Sequence, residues 1–247
     1  MSIDSELELI ALKRVGKIVA EALREGKRSL EPGMTTAELD AICAKVLARQ
    51  GARSAPQLAY NFPDVNCISV NDEVVHGIPG GRKLRPGDLV KIDVTAELDG
   101  YIADAAISAQ VPPVSSQAEQ LTVAATAALQ KAMSVARAGR GIGEIGLTVE
   151  SEVRRRGFKI IPELCGHGVG RAIHEEPSVP NYFDPRNRQR LTDGLVITIE
   201  PIIAAGKSKI VSDPDGWTIR TKDGSLSAHV EHTIVITRNR PIIITAA

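Results

Sequence analysis

The chain has 247 residues, 43% of them hydrophobic, 24% charged and 3% aromatic. That balance excludes a disordered chain and a stapled mini-protein, and suits one sizeable α/β or α+β domain over 1–247. Thirty basic residues against thirty acidic ones give a formal charge of zero, so no long-range field favours nucleic acid or an anionic membrane. Cys43, Cys67 and Cys165 form neither a CxxC pair nor an even framework, which suits reduced thiols. The start MSIDSELELI lacks the basic and apolar regions of a signal peptide, and no apolar run reaches about 18 residues, so the cytoplasm is the expected location.

In chain order, Leu7, Ile10, Ala11, Val15, Ile18, Val19 and Ala22 recur at helical spacing and stop at Gly26, predicting an amphipathic helix over about 4–26. Pro32 and Gly33 break it. Thr35 followed three residues later by Glu38 is a capping box, opening a second helix that carries Leu39, Ile42, Val46 and Leu47 and ends near Gly51. Over 66–111 short β-rich runs split by Gly and Pro predict strands. Ser115 and Ser116 can cap a long helix with Leu121, Ala125, Leu129 and Met133 spaced four apart, closing at Gly139, and a further helix is predicted over about 143–156. Strands return around 195–203, 217–221 and 228–237.

Helices then strands occur twice, and the residues support an internal duplication. At a constant offset, Leu84, Gly87, Ile92 and Asp93 fall on Leu191, Gly194, Ile199 and Glu200. A pseudo-two-fold axis would bring Asp93 and Glu200 to equivalent places around one central site.

Asp99-Gly100 is a two-residue hairpin signal. With Leu98 facing Tyr101, Asp93 lies opposite Ala106, and Asp104 points to the same face roughly 7–8 Å away at the backbone. Either that face is solvated, or a cation lies between two carboxylates that would otherwise repel and resist desolvation. Glu200 ends the apolar run from Leu195 to Ile199, and Glu231 lies between His229 and His232 ahead of β-branched residues; a buried glutamate needs a partner, whereas an edge glutamate is solvated. His167 lies among the glycines of Gly166 to Gly170 as a loop histidine, and His174 follows seven residues on. A lone loop histidine is ordinarily a surface residue, but here it joins four acids on two related halves. Four carboxylates and an imidazole are mostly hard donors that suit two divalent ions of Mn, Fe, Co or Zn, and hydrolysis is the reaction class that follows. The GxGxxG run at 141–146 follows a helix rather than a strand and is declined as a dinucleotide site. Cys67 reads as a small buried thiol.

NDEVVHGIP (71–79), KIDV (91–94), ADAA (103–106), GHGVGRAIHEEP (166–177), TIEP (198–201) and SAHVEHTIVIT (227–237) occur in that order. Together they resemble the signature of the type I methionine aminopeptidases over almost the whole chain. The resemblance implies the pita-bread fold, an α+β architecture whose two pseudo-symmetric halves carry antiparallel sheet covered by helices. It also implies removal of the initiator methionine from nascent polypeptides with a small second residue. Carried over residue by residue, the metal ligands are Asp93, Asp104, His167, Glu200 and Glu231, with Asp104 and Glu231 bridging two ions. A bridging hydroxide attacks the carbonyl and Glu200 acts as general base. His174 steadies the developing gem-diolate, and His76 contacts the substrate beyond the scissile bond.

The pattern departs from the family in four places. Val75 precedes His76 where Cys is common. Ala105 follows Asp104 where Thr or Ser is usual, and loss of that hydroxyl is expected to weaken support of the bridging carboxylate. In the methionine pocket Phe62 and Trp217 match, whereas Ala59 and Ile173 stand at positions that are often aromatic, with Tyr60 placed to compensate by a loop shift. The rivals are an Xaa-Pro peptidase of the same fold, a type II enzyme and a non-catalytic scaffold. About 65 residues before the first strand motif are too few for the extra N-terminal domain usual in the first, a spacing of 26 from His174 to Glu200 leaves no room for a helical insertion, and all five ligands are kept. The expected partner is the nascent N-terminus, with no nucleic acid, no membrane and a monomeric state; ribosome association stays open for a neutral chain.

Overall fold

The structure is a computed structural model and describes residues 1–246. The first half runs α1 (Glu6–Ser29), α2 (Thr36–Arg49), β1 (Arg53–Ser54), α3 (Ala55–Tyr60), β2 (Cys67–Val70), β3 (Glu73–Val75), β4 (Leu89–Leu98) and β5 (Tyr101–Gln110). The second runs α4 (Ser116–Val135), α5 (Ile142–Arg155), β6 (Lys159–Ile160), β7 (Gly166–Gly168), β8 (Glu175–Val179), β9 (Val196–Ile199), β10 (Ile202–Ala204), β11 (Ile210–Ser212), β12 (Ile219–Thr221), β13 (Ser227–His229), β14 (His232–Val235) and β15 (Ile242–Ile243). No helix is long and apolar enough to cross a membrane among the described residues.

Each helix pair covers its own sheet. Leu12, Val15, Val19 and Ala22 of α1 join Leu39 and Val46 of α2 over Ile92, Val94 and Ala103 of β4 and β5. Leu121, Ala125 and Leu129 of α4 join Ile145 and Val149 of α5 over Ile197, Ile199 and Ile234. The fully buried stripe of α1 starts at Leu12, with Leu9 packed against its edge; Leu7 and Ile10, expected in it, are 77% and 55% exposed. Nor does α1 stop at Gly26. There the helices approach so closely that a Cβ would lie 2.7 Å from Cys43 Sγ, so this glycine serves packing rather than termination. The capping box of Thr35 and Glu38 and the Ser115 cap both form as expected.

The duplication is written in the hydrogen bonds. Gly33 N to Leu84 O (2.8 Å) and Leu84 N to Met34 O (2.7 Å) recur as Gly139 N to Leu191 O (2.8 Å) and Leu191 N to Arg140 O (2.9 Å). Gly87 N to Val111 O recurs as Gly194 N to Ile236 O, both at 2.8 Å. Leu84 with Leu191 and Gly87 with Gly194 are positions that the offset pairs.

The β4–β5 hairpin has the expected register, with Asp93 opposite Ala106 and Asp104 opposite Thr95, closed by left-handed Asp99 (φ 52°) and Gly100 (φ 81°). Elsewhere the strands are shorter than expected. The run predicted over 195–203 breaks at Glu200-Pro201, and the one over 228–237 breaks at Val230-Glu231. The breaks face each other: β9 pairs with β14 up to Ile199 and His232, and β10 pairs with β13 from Ile202 and His229. Two strands therefore leave one sheet for another at a shared corner, where Pro201 has no N–H to give a ladder. Glu231 N donates to Ala106 O of β5 at 2.9 Å, fixing that corner against the first half.

Candidate metal centre

Four elements aim carboxylates at one point. Asp93 and Asp104 come from the hairpin, Glu200 and Glu231 from the two strand breaks. All four side chains line a single pocket of about 360 Å³ together with His76, His167, His174 and His229. Asp104, Glu200 and Glu231 are 6%, 8% and 2% exposed. Ligand atoms of Asp104, His167 and Glu231 lie within 4.8 Å of one another, and His167 Nε2 is 3.5 Å from Glu200 Oε1.

His167 belongs to β7, not to a loop as the glycines suggested. The flanking glycines serve closeness: a Cβ on Gly168 would lie 2.2 Å from Glu176 O of β8. Its Nδ1 is 2.9 Å from Gly168 O, which leaves Nε2 facing the acids. Thr198 joins the strands here, accepting from His167 N (3.0 Å) and donating to Glu200 Oε1 (3.1 Å). Thr95 Oγ1 donates to Asp104 Oδ1 at 2.8 Å.

Ala105 corrects an expectation. Next to Asp104 on a strand, it must face the other way, and it is fully buried in the apolar layer beneath α1. A hydroxyl there could not reach the carboxylate from that face, and Thr95 supplies one instead.

The acids are electrostatically unbalanced. Burial raises the carboxyl pKa of Asp104 and Glu200 well above the ordinary range, and repulsion from Glu231 adds to it. Glu231 is raised by burial and Asp93, and Asp93 by burial and Asp104. Among the described residues no Lys or Arg pairs with any of the four; the charged-partner contacts come from His167 and His229. Burial lowers the pKa of both histidines, that of His167 to about 4. Lys91, buried two residues before Asp93, gives its Nζ to Asn71 O at 2.7 Å. Glu231 Oε1 is buried without a hydrogen-bond partner. Hard donors, unneutralised charge and an orphaned carboxylate oxygen fit a divalent cation.

One wall of the pocket is apolar. Phe62 and Trp217 meet edge-to-face with ring centroids 5.1 Å apart. Trp217 does not begin a strand as expected; Asp215 Oδ1 accepts its N–H and that of Thr218, both at 2.8 Å, and holds it in a turn. Ile173 lines the pocket and is buried. Ala59 does not: it is exposed on α3, a helix capped by Ser54 that carries Tyr60 to the pocket instead. The Tyr60 hydroxyl lies 2.7 Å from His174 Nδ1, and the rings of His174 and His167 are 4.3 Å apart at their centroids. His76 holds a left-handed backbone (φ 58°), uncommon outside glycine, and burial lowers its pKa to about 4. Cys67, opposite Asp93, is buried and its thiol pushed up by that burial. Tyr60, expected to compensate by a loop shift, reaches the pocket from the last turn of α3, and His229 lines it without having been expected there.

The sequence profile of metallopeptidase family M24 matches residues 11–238. The chain belongs to that family. As an M24 metallopeptidase it is 47% identical to a methionine aminopeptidase 2 of Bacillus subtilis over 247 residues, 99% of each chain. It superposes on a methionine aminopeptidase of Thermotoga maritima with a TM-score of 0.96 at 35% identity, covering all of both chains. A prolidase from Pyrococcus furiosus has the same fold, with a TM-score of 0.80 at 21% identity, and this chain covers 65% of it. The M24 fold is the pita-bread fold expected above.

Proposed function

We propose that this M24 metallopeptidase is a type I methionine aminopeptidase that removes the initiator methionine from nascent polypeptides with a small second residue. The observation that carries the reading is the pocket itself: four uncompensated carboxylates at its floor and Phe62, Trp217 and Ile173 along one wall. That wall suits a linear, polarisable side chain, since a thioether packs well against aromatic edges. Likeness to methionine aminopeptidases over the full chain supports it.

In this reading Asp93, Asp104, His167, Glu200 and Glu231 would hold two divalent ions of Co, Mn, Fe or Zn. Bound ions supply a water of lowered pKa and polarise the scissile carbonyl. Every other part belongs to the chain. Glu200, whose Oε1 accepts from Thr198 Oγ1, would take the proton of the attacking water and pass it to the departing amine. The Tyr60 hydroxyl lies 2.7 Å from His174 Nδ1; with the O–H as donor, His174 would carry its proton on Nε2 and give it as a hydrogen bond to the developing gem-diolate. His76 contacts the peptide beyond the scissile bond. The same reading makes the protein a cytoplasmic monomer whose partner is the nascent N-terminus.

The test is methionine release from Met-Gly-Met-Met by metal-stripped protein titrated with Mn(II), Co(II) and Fe(II), beside Leu-first and Met-Pro analogues. Metal-dependent release of methionine that vanishes in Glu200→Ala is expected. Preference for another first residue, or for the Met-Pro analogue, overturns the assigned specificity, and no turnover with any metal overturns the catalytic reading.

A further inference from the structure

His229 is 2% exposed, and neither of its ring nitrogens has a hydrogen-bond partner. A buried polar atom left unpaired is costly, so an imidazole with two of them is held against a penalty. The backbone holds it there. His229 N donates to Ser108 Oγ at 3.0 Å and Ser108 Oγ donates to His229 O at 2.8 Å, clamping β13 to β5. The residue also pairs with Ile202 of β10, one position beyond the strand break. The ring is thereby directed into the pocket.

Its Nε2 lies 3.5 Å from Glu231 Oε2 and 3.8 Å from Glu200 Oε2, too far for hydrogen bonds. Two donors that share an ion at about 2.1 Å lie about 3.0 Å apart at a right angle and about 3.4 Å apart at a tetrahedral one. The 3.5 Å spacing to Glu231 Oε2 is close to the tetrahedral value, and the 3.8 Å spacing to Glu200 Oε2 is wider than either. His167 has the same relation to its neighbour, with Nε2 3.5 Å from Glu200 Oε1. Both imidazoles lie beside Glu200, His167 carried by β7, which pairs with β9, and His229 by β13, which pairs with β10.

We infer that His229 is a metal donor of this centre, adding a second imidazole nitrogen beside Glu200 and Glu231. The inference rests on the metal-centre reading above and goes beyond its five ligands. A site with two nitrogens is softer than one with a single nitrogen, and it holds Zn(II), Co(II) or Fe(II) better relative to Mn(II).

The experiment is Mn(II) electron spin-echo spectroscopy on metal-reconstituted protein, counting coordinated imidazole nitrogens, with calorimetric titration of Mn(II) and Co(II) into the metal-free chain. Wild type, His229→Gln, His229→Asn and His167→Gln are compared, with circular dichroism checking that each folds. Two imidazoles in wild type, one in each His229 variant, and at least about tenfold weaker binding of one ion in those variants are expected. A single imidazole in wild type, lost in His167→Gln and kept in both His229 variants, overturns the inference while leaving the metal centre standing. No metal binding by wild type overturns the metal-centre reading itself, and the inference with it.

Discussion

The hydroxyl of Tyr60 is the group through which the pocket mouth would control chemistry, and Tyr60→Phe removes it while keeping the ring. At 2.7 Å from His174 Nδ1 the bond is short, but Tyr60 is 44% exposed, so water competes for both partners. The net value of such a neutral bond is about 1 kcal/mol, toward the middle of the ordinary range rather than its top. If it acts only by holding His174 in the tautomer that donates from Nε2, the whole of it appears in the transition state, and kcat falls about fivefold. KM should change by less than about twofold, since the apolar wall of Phe62, Trp217 and Ile173 is untouched. Initial rates on Met-Gly-Met-Met at saturating Mn(II) separate the two constants. Because Tyr60 acts through His174, adding Tyr60→Phe to His174→Ala should cost nothing further. Additive losses, or a loss confined to KM, would refute the tautomer argument and make Tyr60 a binding contact.

Three other outcomes are expected. Thr95→Val removes the donor to Asp104 Oδ1, which should weaken metal binding about 10–100-fold in calorimetry; unchanged affinity would mean that Asp104 needs no orienting. Glu231→Gln relieves repulsion among the four acids, so the metal-free variant should melt a few degrees higher, at about 2–4 °C per kcal/mol for a chain of this size, while the rise in Tm on adding Mn(II) disappears. A lower Tm for the metal-free variant would show that the acids are not in conflict. Glu152 is 3% exposed and accepts from Lys131, Arg155 and Arg156, with Arg155 first in holding its pKa below the usual carboxylate range. A depressed folded pKa adds stability above the unfolded value near 4.3 and loses it as pH falls toward the folded one. Glu152→Gln should therefore cost about 2 kcal/mol at pH 7 in urea unfolding, and the gap should narrow below about pH 4; a gap that does not vary with pH would assign the cost to packing.

The β4–β5 hairpin was fully legible because a two-residue turn fixes register, and register fixes which face each side chain takes. Asp93 and Asp104 followed at once. The same parity rule places Ala105 on the opposite face, buried in the apolar layer and away from the Asp104 carboxylate. The helix caps were legible for a similar reason: a Ser or Thr oxygen has one local job before a helix. Gly26 misled because a glycine ends a helix or lets two helices touch, and the chain alone does not say which. Ala59 misled because Ser54 with Pro56 in the first turn opens a short helix, and consecutive residues on a helix point about 100° apart. The position expected at the pocket wall was rotated out and Tyr60 rotated in.

What stayed hidden shares a cause. The runs around Glu200 and Glu231 read as unbroken strands, since β-branched residues continue on both sides of each acid. Yet a continuous sheet presents its side chains in parallel rows, and parallel rows cannot converge on a point. Donors meet around an ion only if strands bend across one another, so the regularity that makes a strand readable has to fail where the site is built. Glu200 and Glu231 stand at two facing failures, and His229 is the last residue of a strand that ends at one of them. A strand period cannot show where such a residue points. The acids remained visible because a buried charge among isoleucines calls for a partner. His229 did not, because a neutral imidazole passes for core until its unpaired nitrogens are seen.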